Sequence, residues 1–167
     1  QKNFFDRYVR PVLQKDKKIY VIISDAFRYE IGDEFLGLIR QEDRYEATLE
    51  PALAMLPSYT QLGMAALLPN TDLALQENDS GAVLVNGQSS QGTVNRRKIL
   101  EQAIAQRATA LKADELMALN KEDCRAFLRD HDVIYIYHNR IDITGDKRES
   151  EERVFEAVEE TLQELIR

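Results

Sequence analysis

Two short runs, "IYVII" (19–23) and "VIYIY" (133–137), are apolar at every position, and they constrain the fold more than any other feature of the chain. A strand with one wet face alternates apolar and polar residues, whereas a run that never alternates needs cover on both faces. Between the two runs apolar residues recur at helical spacing, as in Phe27, Ile31, Phe35 and Leu38. Strands of this kind alternating with helices predict the α/β class, a mostly parallel sheet covered by helices on both faces. Each run ends on polar groups, the first on Ser24 and Asp25, the second on His138 and a cluster reaching Asp146. Ligands of parallel sheets bind beyond the C-terminal strand ends, so both groups are expected at one edge.

The rest of the chain fills in around these strands. "NFFDRYVRPVLQ" predicts a helix bent or ended at Pro11. "YEATLEPALAM" reads as a short strand and then a loop broken at Pro51, and "SYTQLGMAALL" as a helix ended by Pro69 and Asn70. "TDLALQENDSG" reads as a polar loop and "AVLVNG" as a short strand with turn residues after it. The pattern from Thr93 to His131 is read as helical throughout, in two or three helices. "ESEERVFEAVEETLQELIR" closes as an amphipathic helix with Val154, Val158, Leu162 and Leu165 inward and its glutamates toward water.

With 167 residues, 44% of them hydrophobic, the chain is the size of one domain, and residues 1–167 are read as such. A net charge of -7 argues against a general nucleic-acid surface, which needs surplus Lys and Arg. The single cysteine, Cys124, excludes an internal disulfide and a Cys-rich zinc site. No apolar stretch approaches the roughly 20 residues of a membrane span. The opening "QKNFFDRYVRP" lacks the apolar core of a secretory signal, so a cytoplasmic location is expected.

Three places carry residues suited to chemistry. Asp25, at a strand end and before a helix, suits a divalent cation or a helix cap. Ser58 and Thr60 head an otherwise apolar helix, where a hydroxyl either caps the helix or serves as a nucleophile toward phosphate. The chain has no GxSxG elbow, so a nucleophilic Thr without a His base would need a metal. "YHNRIDITGDKRE" gathers His138, Asp142 and Asp146 within nine residues, with Gly145 expected to allow a tight turn. Such donors suit zinc, manganese or magnesium; the alternative is a solvated loop whose acids pair with Arg140, Lys147 and Arg148. His131, in "RDHD", reads as a surface residue at a helix end.

The segments "VIISDAFRYEIGDEF", "LPSYTQLGMAALLP", "VNGQSSQGTVNRRKIL" and "DVIYIYHNRIDITGDK" together resemble the PglZ domain. This is the phosphatase module of the alkaline phosphatase superfamily found in BREX and phage-growth-limitation defence systems. The likeness runs from about Lys17 to the end. It implies an alkaline-phosphatase-like core and a metal-dependent phosphatase or phosphodiesterase with two sites for zinc or manganese. By this resemblance Asp25 holds one metal and Thr60 is the metal-bound nucleophile. "PSYTQLGMAALL" is similar to a family pattern in which Ser-Arg stands three residues after the Thr, and Gly63 and Met64 replace that pair, so Ser58 stays as an alternative. Asp142 and Asp146 are similar to an Asp-x-x-x-His metal loop, with Asp146 in the His position. His138 would ligate or orient a ligand, and Arg28 and Arg140 would meet phosphate or form ordinary ion pairs. The implied partners are other phage-defence proteins and a phosphate ester, with DNA involved only indirectly and no membrane.

Family members continue past the final helix into a strand ending in a "TADHG"-like motif that completes the metal sites. This sequence stops at Arg167, so it is expected to be a truncated core with half of each metal shell, weak metal binding and little turnover. A second reading is a catalytically inactive interaction platform within a phage-restriction complex. A nucleotide-binding domain is a weaker third, since no glycine-rich loop follows the first strand.

Overall fold

A computed structural model describes residues 1–76, 81–147 and 150–166. The chain opens with a π-helical turn (Phe5–Val9) that runs into α1 (Arg10–Leu13). The Arg10 N–H reaches back five residues to the Phe5 carbonyl. This wider turn comes just before Pro11, whose ring would otherwise press on the carbonyl four residues back. There follow β1 (Ile19–Ser24), α2 (Tyr29–Ile39), α3 (Thr60–Ala66), β2 (Leu73–Leu75), β3 (Val83–Val85), β4 (Gln88–Ser89) and α4 (Gly92–Ala103). Then come β5 (Ala108–Lys112), α5 (Ala113–Met117), α6 (Lys121–Asp130), β6 (Val133–His138), α7 (Arg140–Asp146) and α8 (Glu151–Ile166). The elements group into two compact units, one of Gln1–Ile23 with Leu53–Tyr137, the other of Ser24–Ala52 with His138–Arg167.

The first unit is built on a parallel sheet of order β1-β6-β5. β5 and β6 pair in register from Ala108 opposite Val133 to Lys112 opposite Tyr137. β1 runs alongside β6, starting with the Ile19 N–H donating to the Asp132 carbonyl at 2.9 Å. On one face Val21, Ile23, Val133 and Tyr135 share a core with Val9, Leu68, Val83 and Leu100. On the other face Ile134, Ile136 and Leu111 pack against Leu116, Phe127 and Leu128 of α5 and α6. Burying each such side chain is worth about 1.5–3 kcal/mol against exposure. The sheet is therefore flanked by helices, as the two apolar runs predict. β1 departs from the expectation in one respect: Tyr20 and Ile22 remain 44% and 48% exposed.

A second sheet is antiparallel, of order β2-β3-β4. Asn86 and Gly87 both have positive φ (49° and 82°) and join Val85 to its partner Gln88. That is the two-residue hairpin turn for which Asn-Gly is suited. β2 lies where a polar loop was expected, because Leu73, Ala74 and Leu75 find a partner in β3. Residues 45–55 have no regular structure, so the short strand expected in "YEATL" is not formed. The largest departure is β5, which interrupts the stretch read as helical. Its first four residues are buried on both faces, and with Ala and Leu prominent there is no alternation, and a single β-branched residue, Thr109, is too little to separate strand from helix.

The second unit comprises α2, α7 and α8. α7 and α2 both pack on α8, where Ala157, Thr161 and Leu162 are buried, with Ile141 of α7. Phe27 and Phe35 meet edge to face at 6.1 Å. The inward stripe of α8 is as expected at Leu162, while Val154, Val158 and Leu165 are half-buried.

Candidate active site

β1 ends at Ser24, and the ladder to β6 is continued by the Asp25 N–H donating to the His138 carbonyl at 2.8 Å. The chain then turns sharply, with Ala26 at φ 60°, a region costly for a residue bearing a Cβ. Asp25 Oδ1 accepts the Ala26 N–H at 3.0 Å. The cap of α2 is Arg28, so Asp25 does not cap that helix. Strain beside a carboxylate at a strand end is a pattern of functional sites rather than of plain turns.

Asp142 and Asp146 lie on α7, four residues apart and hence on one helix face. The expected tight turn at Gly145 is instead a position inside this helix. Burial pushes the Asp142 carboxyl above the usual carboxylate range, and the negative charges of Asp25 and Asp146 push it further. Two of the acids singled out in the sequence, Asp25 and Asp146, thus act on the third, Asp142, within the second unit. Neither Asp142 nor Asp146 uses Arg140 as its partner; Arg148 lies outside the described residues.

His138 is 5% exposed, and both its ring nitrogens are engaged. Nε2 lies 2.9 Å from Glu164 Oε2 and Nδ1 lies 3.0 Å from Ser24 Oγ. A carboxylate only accepts, so Nε2 carries the proton and, in the neutral ring, Nδ1 accepts from the Ser24 hydroxyl. Arg140 donates from Nε to Glu164 Oε2 at 3.0 Å and from Nη1 to Glu160 at 2.7 Å, and its Nη2 also meets Glu164. Burial alone would raise the Glu164 carboxyl, but hydrogen bonds from Arg140 and His138, with their charges, hold it below the usual range. Arg140 thus forms ion pairs with Glu160 and Glu164 of α8. Arg28 is exposed, with no ion pair among the described residues.

Ser58 and Thr60 belong to the first unit. Thr60 is the first residue of α3, both side chains are exposed, and the cap position is Tyr59 without a side-chain cap. The capping role expected for these hydroxyls is not taken by either. Sequence reasoning gave no site role to Ser24, Glu160 or Glu164. The glutamates of α8 were expected to face water, yet Glu160 and Glu164, spaced for one helix face, converge on Arg140.

Among the described residues no group of three or more His, Cys, Asp or Glu stands together as a metal site. The chemistry of the acids still fits a hard divalent cation: the charges of Asp25 and Asp146 raise the proton affinity of Asp142, and a cation would offset that repulsion.

Comparison with known proteins gives a family model match over residues 4–167, described as the BREX system PglZ alkaline phosphatase-like domain. The alkaline phosphatase-like protein BrxZ of Escherichia coli O9:H4 (strain HS) is 43% identical over 167 residues, covering 99% of this chain and 19% of that protein. The alkaline phosphatase-like protein PglZ of Bacillus cereus (strain H3081.97) is 38% identical over 165 residues, again 99% of this chain and 19% of the relative. The chain thus spans about a fifth of the length of these curated relatives (19%).

Proposed function

This chain belongs to the family of BREX-system PglZ alkaline phosphatase-like domains, and on that premise we propose that it contributes the nucleophile and metal-holding acids of a metal-dependent phosphatase or phosphodiesterase in phage defence. The observation that carries the reading is the raised Asp142 carboxyl beside Asp25 and Asp146, a set of acids better suited to holding a cation than to facing water. In this reading Asp25, Asp142 and Asp146 hold divalent ions, manganese suiting an all-oxygen set better than zinc. Such an ion, when bound, supplies charge neutralisation and a lowered hydroxyl pKa. Thr60 Oγ1 gives its proton to water and forms a bond to phosphorus as the bond to the leaving alkoxide breaks. The alkoxide takes a proton from water, and a second water cleaves the Thr60–phosphorus bond to restore the hydroxyl and free the phosphate; Ser58 is the alternative nucleophile. His138, tied to Ser24 and Glu164, keeps fixed the strand ends from which Asp25 follows. The partners of the chain in this role are a phosphate ester and other defence-system proteins; no helix among the described residues is long and apolar enough to cross a membrane. The full-length protein assayed on a chromogenic phosphodiester with manganese tests it. Thr60→Ala is expected to remove hydrolysis by at least 100-fold, and undiminished turnover would move the role to Ser58 or abolish it.

A second reading, an inactive platform for protein contacts, is favoured by the lack of a formed metal cluster among the described residues. Manganese titration with a thermal readout separates the two. A stabilisation lost in Asp25→Ala supports the enzyme, and its absence in the full-length protein supports the platform.

A further inference from the structure

The first unit buries a cation that has no carboxylate partner among the described residues. Arg96 on α4 is 7% exposed, yet among the described residues no carboxylate stands within ion-pair distance of it. Its Nε donates to the Ser90 carbonyl at 2.9 Å and its Nη2 to Gln61 Oε1 at 3.3 Å. The guanidinium lies 4.7 Å from the centre of the Tyr137 ring. Nη1 makes no hydrogen bond among the described residues. Neutral partners and a ring face compensate only part of the cost of removing a charge from water.

Two neighbours add to the imbalance. The Tyr137 hydroxyl is buried with no hydrogen-bond partner among the described residues, at a residue only 8% exposed. Burial pushes its pKa up to about 12, although the Arg96 side chain, by its charge and by its polar contact with the hydroxyl, works the other way, so it stays a neutral O–H donor. Gln61 spends its side-chain oxygen on Arg96, which leaves its amide N–H2 group as a donor. Arg96 and Gln61 thus keep N–H donors in reserve, and Tyr137 adds an O–H whose oxygen can also accept. Such N–H and O–H donors around one positive charge complement an oxyanion. The scaffold is fixed: Ser90, fully buried, donates its hydroxyl to the Val83 carbonyl at 2.8 Å while its own carbonyl holds Arg96. Arg97 next door shows the contrast, since its Nε simply satisfies the Ala110 carbonyl at 2.8 Å.

We propose that Arg96, Tyr137 and Gln61 form a subsite for the non-bridging oxygens of a tetrahedral phosphate group. Gln61 directly follows Thr60 at the start of α3, so the subsite deepens the phosphoryl-transfer reading. Its place in the reaction rests on Thr60 as nucleophile, while the binding of the anion does not. The subsite serves either a phosphate ester as substrate or inorganic phosphate as product.

The test is a titration of the 167-residue chain with inorganic phosphate and, separately, with dimethyl phosphate at constant ionic strength. The readouts are the NMR signals of the Gln61 side-chain amide and the Tyr137 ring. Saturable shifts of both signals are expected, weakened at least tenfold in Arg96→Gln and about threefold in Tyr137→Phe, and unchanged in Thr60→Ala. If Arg96→Gln does not fold, Arg96→Lys and Tyr137→Phe carry the comparison, since lysine keeps the charge but not the planar fork. Response to both anions, or to dimethyl phosphate alone, supports an ester subsite; response to inorganic phosphate alone supports a product subsite. No saturable shift with either anion, or equal binding in the Arg96 and Tyr137 variants, overturns the proposal. Hydrolysis that survives Thr60→Ala while phosphate still binds at Arg96 would remove the nucleophile reading and leave the subsite standing.

Discussion

Lys18 delivers its ammonium to the carbonyls of Leu128, Arg129 and His131 at 3.0, 2.6 and 2.7 Å, the acceptors left over where α6 ends. Its side chain is 40% exposed, so the charge-assisted bonds are partly screened. Lys18→Met is expected to cost about 1–2 kcal/mol, measured by urea unfolding, through loss of three acceptors' partner at once. The next residue of that segment, Asp132, has its carboxyl held below the ordinary value, chiefly by a hydrogen bond from Arg107, against the opposing effect of burial. A depressed folded pKa gives stability that is present above the ordinary carboxylate value, about 4, and lost as pH falls through the lower folded value. Asp132→Asn should therefore lower stability at pH 7 and converge with the parent in strong acid, and parallel melting curves across that range would refute it. Neither network is visible in the sequence, because Lys18 is separated from its acceptors by over a hundred positions. Shorter separations suffice to hide a contact, as between Arg96 and Gln61, 35 positions apart, and between His138 and Glu164, 26 apart, where the apolar-strand context of His138 suggested only a ligand.

At the scale of elements, patterns that repeat were readable and patterns that depend on a partner were not. β1 and β6 follow from runs that stay apolar at every position, α8 from one long enough to show its period, and Asp25 and His138 stand where those strands stop. β5 and β2 are strands because β6 and β3 offer ladders; their own residues favour neither period. α7 hid inside a polar stretch whose Gly145 suggested a turn, although the four-residue spacing of Asp142 and Asp146 was already that of a helix face. Propensity gives α2 its own prediction. Gly37 lies inside this helix, and a Cβ there would meet nothing within 4 Å. Gly37→Ala should stabilise the chain by about 0.5–1 kcal/mol in denaturant unfolding, from lower unfolded-state entropy and better helix propensity. Gly32 in the same helix is the control: its Cβ would come within 3.1 Å of Leu49 Cδ1, so the gain should shrink or reverse.

At the scale of the whole molecule, a chain of net charge -7 gathers three of its acids where they repel. That arrangement opposes folding in the absence of a cation, and the sign of each effect follows. The Asp142 carboxyl has a raised folded pKa, so its ionised form is disfavoured. The resulting penalty is absent below the ordinary carboxylate value and develops as pH rises through the raised one, the reverse of Asp132. Asp142→Asn removes one charge from the group while keeping a similar volume. Without metal it should be more stable than the parent at pH 7 by roughly 0.5 kcal/mol, a figure already reduced for solvent screening. With manganese the order should invert, because the parent gains binding energy through its folded state and the variant has lost a ligand. Thermal melts of both proteins with and without manganese read the two effects in one experiment. A variant that is less stable in both conditions would make Asp142 a structural residue, and a parent unaffected by manganese in the full-length protein would leave the acids as a repulsive cluster without a cation to justify it.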